Sequence, residues 1–278
     1  MTLSILRRLA VAAATTAATV LIGSLVAPAA SAAPALPALP ALPSVGEVVD
    51  DVLTATGEPA PHRVQGQYFT SPGVPAAAQD ARPAVLVGPS TPLIVGPSLC
   101  TATVAGHDAA GNAVAVTAGH CGTPGDEVRS ADDPEGTVVG TFQRNGAMDN
   151  GVILLNDSAQ VTSSYNAASI SALGGGQPAA GAQVCKTGIA TGTSCGPQFA
   201  TSDTGFVMHV CASHGDSGAP VYAGGRLVGL LSGGFAGLPS CTTPLQGPMH
   251  SPVVASSWDA VAAEMDAAGG VGAGLRLG

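Results

Sequence analysis

An all-β, turn-rich domain is the expectation for this 278-residue chain, and three observations carry it. Charged residues make up only 10% of the chain, and 38 glycines and 22 prolines interrupt it. That composition suits short strands joined by turns better than long helices. From about residue 95, short runs rich in aliphatic and β-branched residues recur at 99–104, 113–117, 136–142 and 152–155. After a linker near 156–180 they resume at 206–211, 219–222 and 227–232. Runs at this spacing point to antiparallel barrels or a sandwich. The span from about 95 to 268, roughly 175 residues, is enough for two small cores.

Residues 1–32 read as an export signal. Arg7 and Arg8 form a basic start, 9–26 an apolar stretch, and Ala30-Ser31-Ala32 a small-residue cleavage site. An uncleaved anchor competes with this reading, because the apolar stretch approaches spanning length. The alanine and threonine content and the cleavage motif favour removal. No later run is long or apolar enough to span a bilayer. The expected product is therefore secreted and soluble, with association to the cell envelope left open. Losing Arg7 and Arg8 takes the formal charge from −9 to −11. A charge of that sign argues against nucleic acid as a partner.

Residues 33–94 read as a Pro/Ala-rich linker and possible pro-segment. Ala-Leu-Pro occurs at 35–37, 38–40 and 41–43, which favours an extended tether. Ser44 and Glu47 form a capping-box signal. Val45, Val48, Val49, Val52 and Leu53 then line one face of a short helix that Gly57 stops. Between 58 and 97, prolines and glycines break up the runs 85–87 and 93–95. This stretch is open to three readings: a pro-segment, a stalk or the first strand of a barrel. At the other end, 256–268 reads as a helix capped by serine and ending before Gly269, with Trp258 as a packing anchor.

Chemistry concentrates in Cys211-Ala212-Ser213-His214-Gly215-Asp216-Ser217-Gly218-Ala219-Pro220. Ser217 follows an acid and stands between glycines that let the backbone turn sharply. A serine hydroxyl is a weak nucleophile unless a base takes its proton. On its own the motif also fits an ordinary Gly/Asp/Ser turn. A base is available in His120, which ends the apolar run 113–118 beside Cys121. An orienting acid is available in Asp149, which enters the apolar run 151–155 and needs hydrogen bonds there. Asp126, Asp132 and Asp133 compete from polar loops, and Asp157 from a turn. Six cysteines in an exported chain suggest disulfides. A zinc site lacks the close cysteine spacing it normally needs, so neither a metal nor a cofactor is expected.

These motifs in this order resemble the chymotrypsin-fold serine proteases, specifically the secreted bacterial branch of streptogrisins and α-lytic-like enzymes. Thr-Ala-Gly-His-Cys at 117–121, Asp-Asn-Gly-Val-Ile-Leu-Leu at 149–155 and Gly-Asp-Ser-Gly at 215–218 carry the likeness, over roughly 95–268. The run Val184-Cys185-Lys186-Thr187-Gly188 to Cys195-Gly196 looks like that branch's small disulfide loop. The resemblance implies two antiparallel Greek-key barrels, about 95–160 and 165–255, followed by the helix. It implies a catalytic triad of His120, Asp149 and Ser217, with the Gly215 and Ser217 N–H groups as oxyanion hole. It selects the disulfides Cys100–Cys121, Cys185–Cys195 and Cys211–Cys241. It also implies an ion pair between Lys186 and Asp216, where an ordinary solvated lysine is the plainer alternative.

Two positions depart from the family pattern. Ala219 replaces a usual glycine, and Lys186 stands where arginine is common. For substrate, the resemblance makes Ala212, Ser213 and His214 one pocket wall and Ser232, Gly233 and Gly234 the other. A small or apolar side chain before the cut bond is expected, and His214 and His250 leave an acidic one open. The implied product is a monomeric secreted endopeptidase acting on peptides or proteins. A catalytically silent domain that binds peptide or cell-envelope components is the alternative.

Overall fold

The structure is a computed structural model that describes residues 74–241 and 246–278. The chain divides into Met1–Leu42 and Pro43–Gly278, and every described residue belongs to the second unit. The export signal, the Ala-Leu-Pro repeats and the helix expected at 44–57 lie outside the described residues.

The described chain opens with a short helix α1 (Ala76–Asp80) and a strand β1 (Val85–Val87). Strands β2 (Pro92–Val95), β3 (Ser98–Thr101), β4 (Val104–His107), β5 (Ala113–Ala118) and β6 (Glu127–Ser130) follow. Next come β7 (Val138–Asn145) and β8 (Asn150–Leu155). These form an antiparallel sheet in the order β4-β5-β8-β7-β6-β2-β3. A C-terminal strand β19 (Arg276–Leu277) adds to its β4 edge. Leu93, Val95, Val128, Phe142 and Ile153 fill the inside of this curled sheet.

The second half is a closed barrel of six strands. They are β13 (Gln183–Gly188), β14 (Gly192–Thr201), β15 (Gly205–Met208), β16 (Pro220–Ala223), β17 (Arg226–Gly234) and β18 (Val253–Ser257). The ladder runs β17-β16-β13-β14-β15-β18, and β18 pairs back onto β17 to close it. Val184, Phe206, Met208, Val221 and Leu231 are buried inside.

A third cluster joins the two sheets and the C-terminal helix α2 (Trp258–Ala268). It explains why β5 and β8 read as unbroken apolar runs. Ala115 and Ile153 face the inside of the first sheet, while their neighbours Val116 and Val152 face this cluster. A strand buried on both faces loses the alternation of a half-exposed one. Trp258, Val261 and Met265 pack into the cluster from α2, so the tryptophan anchors packing as expected.

The structure refines several boundaries. The folded part reaches upstream of residue 95: β1 pairs with β9 (Ala159–Val161), β2 pairs with β3 and β6, and Leu93 is fully buried. The run 99–104 is two strands, β3 and β4. The stretch 156–180, expected as a linker, holds β9 and the two-residue strands β10 (Ser164–Tyr165), β11 (Ala168–Ser169) and β12 (Ala172–Leu173). Tyr165 and Ile170 bury there. Helix α2 begins directly after β18, and Ser257 at its N-cap position makes no side-chain capping bond.

Candidate active site

His120 is delivered by the end of β5. After Ala118 the chain enters a single 3-10 turn, Gly119–Cys121, and a disulfide from Cys121 to Cys100 ties that turn to β3. The Gly119 N–H donates to the Asp149 carbonyl oxygen at 2.8 Å, so the turn also leans on the loop after β7. Asp149 itself has a left-handed backbone, φ 53°, a conformation that aspartate tolerates better than most residues.

The two side chains meet closely. His120 Nδ1 lies 3.0 Å from both Asp149 carboxylate oxygens, and the His120 backbone N–H donates to Oδ1 at 3.0 Å. A carboxylate only accepts, so Nδ1 carries the proton and Nε2 is left with a lone pair. His120 Nε2 stands 2.9 Å from Ser217 Oγ. The hydrogen bond that His120 donates to Asp149 raises the imidazole above its ordinary pKa of 6.5, against burial, which lowers it. Burial pushes the Asp149 carboxyl up. The hydrogen bonds and charge of His120, with a hydrogen bond from Ser232, outweigh it and hold the group below 3.8.

Three of the competing acids are engaged elsewhere. Asp126 accepts from the Thr123 backbone, Asp133 from the Thr137 backbone, and Asp132 takes the Tyr165 hydroxyl.

Ser217 sits on a tight loop before β16. Gly215 (φ 97°) and Gly218 (φ 83°) both occupy left-handed backbone. A Cβ on Gly218 would lie 2.3 Å from the Thr101 carbonyl oxygen and from Thr117 Oγ1, so glycine is required there. Two threonines of the first half stitch this loop down, and a third braces one of them. Thr101 Oγ1 donates to the Gly215 carbonyl at 2.8 Å, and Thr103 Oγ1 to the Gly218 carbonyl at 2.6 Å. Thr117 Oγ1 donates to the Thr101 carbonyl at 2.8 Å. Among the described residues, the Gly215 and Ser217 N–H groups donate to nothing within the chain, which leaves them available to an oxyanion. Ala219 takes no left-handed backbone and is buried in the barrel core, so the missing glycine costs the loop nothing.

Asp216 faces away from Ser217. Its Oδ2 lies 3.0 Å from Lys186 Nζ, and neither side chain is exposed. The ammonium also donates to the Gly192 carbonyl at 3.0 Å and to the Thr191 hydroxyl. Asp216 further accepts from the backbone N–H groups of Ala190 (2.8 Å), Thr191 (3.2 Å) and Ser213 (3.0 Å). Burial pulls the Lys186 pKa below 10.5, and the Asp216 charge pulls it back. The ion pair expected from the sequence is therefore formed, with Thr191 as a third member that no motif announced. A lysine lacks arginine's fork, but its three protons find three acceptors here.

All three expected disulfides are formed, and there are no free cysteines. Cys185–Cys195 bridges directly opposed residues of β13 and β14. Cys211–Cys241 closes a segment beside the cleft.

That cleft encloses about 390 Å³ next to His120 and Ser217. The expected Ala212, Ser213, His214, Ser232, Gly233 and Gly234 all line it. Sequence reasoning missed Leu231 and Val253, which give it apolar wall, the buried Ser251, and the exposed Phe235 and Leu238. His250 does not line the cleft; it stacks on His209 with ring centroids 4.3 Å apart.

No family profile matches the chain, and no curated protein matches it. Solved structures do. Protease A of Thermobifida fusca is 23% identical and covers 62% of this chain and 92% of its own, with a TM-score of 0.50. A Nocardiopsis protease is 23% identical and covers 63% and 97%, also at 0.50. A glutamic acid-specific serine protease, described as using a histidine triad in substrate binding, is 21% identical and covers 64% and 96%, again at 0.50. At this identity the likeness speaks to the fold. The chain has the chymotrypsin-like two-barrel architecture.

Proposed function

We propose that this protein is a secreted serine endopeptidase that hydrolyses peptide bonds through an acyl-enzyme. One observation carries the reading: Asp149, His120 and Ser217 form a continuous hydrogen-bonded row, 3.0 Å and then 2.9 Å. Ser217 Oγ attacks the carbonyl carbon of the scissile bond while His120 Nε2 takes its proton. Asp149 holds the imidazole in the tautomer that leaves Nε2 free and stabilises the imidazolium as it forms. The negative charge appearing on the carbonyl oxygen is met by the N–H groups of Gly215 and Ser217. Collapse of the tetrahedral species passes the His120 proton to the leaving amine. Water, deprotonated by the same imidazole, then releases the acyl group.

Substrate binding follows from β17. Gly233 and Gly234 pair with Val254 and Val253 on one side, and β16 pairs with β17 only as far as Leu230. The other edge is open to an extended peptide, which can add as a strand. The side chain before the cut bond enters a cleft walled by Ala212, Leu231 and Val253, which favours apolar groups. His214 is the exposed basic-capable group at its mouth.

The test is a panel of peptides varied only at that position, with protein and Ser217→Ala compared side by side. Cleavage of Leu, Met or Ala peptides that disappears in Ser217→Ala supports the reading. A folded protein that binds such peptides without cutting any of them would move it to a silent binding domain. Preference for Glu over the apolar set would overturn the pocket assignment alone.

A further inference from the structure

The loop that carries Asp149 is held from the far end of the chain. Gly146 to Asp149 is a tight turn between β7 and β8, closed locally by the Asp149 N–H on the Gly146 carbonyl at 3.2 Å. Two N–H groups of this turn point outward. The Ala147 N–H donates to Glu264 Oε1 at 2.5 Å, and the Met148 N–H to Oε2 at 3.1 Å. Glu264 lies on α2, more than a hundred residues later. The Met148 carbonyl accepts from Ser256 Oγ at 2.6 Å, in the strand that leads into the same helix. The helix is tied back in turn: Arg144 of β7 donates to the Met265 carbonyl at 3.3 Å and the Gly269 carbonyl at 3.0 Å. Strand, turn and helix thus form a closed ring of hydrogen bonds around the residue that precedes the acid.

We propose that Glu264 is a positioning residue for the reaction, setting the orientation of the Asp149 carboxylate by gripping the backbone immediately before it. This rests on the reading of Asp149 as the triad acid. A carboxylate accepting two consecutive N–H groups forms short, charge-assisted bonds. Those bonds hold the turn in the geometry that keeps Asp149 at φ 53°. Without them both N–H groups turn to water, and the left-handed residue is free to relax. Asp149 serves His120 through three contacts of 3.0 Å, so a small rotation breaks the set. The sequence hides this role, because Glu264 reads as one acid on the outer face of a helix.

The experiment compares Glu264→Ala and Glu264→Gln in the native protein and in Asp149→Asn. The readouts are kcat, KM, the acid limb of the pH profile and the rate of Ser217 labelling by a fluorophosphonate. Glu264→Ala is expected to lower kcat about 10- to 100-fold, the scale of a small misplacement of a reacting group, with KM little changed. The acid limb moves to lower pH, because His120 loses part of the hydrogen bond that raises its pKa. Glu264→Gln, which keeps one acceptor oxygen, falls in between. In Asp149→Asn the further loss from Glu264→Ala disappears.

An unchanged kcat and acid limb in Glu264→Ala would overturn the inference. So would the same loss persisting in Asp149→Asn, because the glutamate would then act on the fold at large. If Asp149→Asn alone leaves hydrolysis intact, the triad reading itself fails, and that outcome is distinct from the other two. Should Glu264→Ala fail to accumulate, Glu264→Gln decides on the same two criteria.

Discussion

Replacing Lys186 with methionine is the sharpest perturbation the buried site offers. Methionine approximates the lysine stem but donates no proton. Asp216 Oδ2, the Gly192 carbonyl and the Thr191 hydroxyl each lose a partner. Breaking a buried pair by removing one member costs about 3–5 kcal/mol, because a charge is left unpaired. The low end applies here, since Asp216 keeps three backbone N–H donors and the Thr191 hydroxyl at 2.5 Å. A loss near 3 kcal/mol corresponds to a melting shift of roughly 6–12 °C in a domain of this size.

Activity should follow, because Asp216 anchors the Ser213 N–H and so the turn that presents the Gly215 N–H to the oxyanion. Losing one such donor costs about 10²–10³ in kcat. Urea unfolding reports the stability, with the midpoint falling and the slope unchanged. Peptide hydrolysis reports the loop. A midpoint and a turnover both equal to the parent would refute the claim that this pair holds the nucleophile loop.

Two further outcomes follow from the same geometry. Catalysis needs neutral His120, so activity should rise with pH through a midpoint above 6.5, the direction in which Asp149 moves the group. In Asp149→Asn that limb should move down. A raised folded-state pKa also contributes stability that is fully present below pH 6.5 and is lost as pH rises through the folded value. A pH–rate profile and pH-dependent unfolding check both. Removing the Cys100–Cys121 bridge by a double alanine substitution opens a loop of 21 residues, worth about 3 kcal/mol by loop entropy. Urea unfolding without reductant measures it, and the loss should come with weakened labelling of Ser217, because the bridge holds the His120 turn.

Much of the site was legible because its chemistry is local in sequence. His120 follows a strand buried on both faces, and Ser217 stands between glycines that left-handed backbone demands. Asp149 enters a strand that cannot tolerate an unsatisfied carboxylate. Each leaves a trace within a few residues. What escaped acts across the chain. Thr191, Glu264 and the threonines at 101, 103 and 117 are ordinary residues whose roles come from what the fold brings beside them.

The fold shows the same division. Long apolar strands such as β5 and β8 announced themselves. Strands β10, β11 and β12 did not, because two residues are too few to show a periodicity. Strand β14, with its glycine, serine and proline, reads as loop until the opposed Cys185 and Cys195 fix its register. The expected boundary at 95 missed β1 and most of β2 for a related reason: Gly88, Pro89 and Pro92 disguise two short strands, and the partners β9 of β1 and β6 of β2 lie tens of residues downstream.

The central claim is that His120 makes the Ser217 hydroxyl nucleophilic. A fluorophosphonate reports this directly, since it reacts with an activated serine and leaves ordinary ones untouched. The account predicts a mass increment on the peptide containing Ser217, absent in folded His120→Ala. Folded native protein that stays unlabelled at Ser217, or a label that persists in His120→Ala, would contradict it.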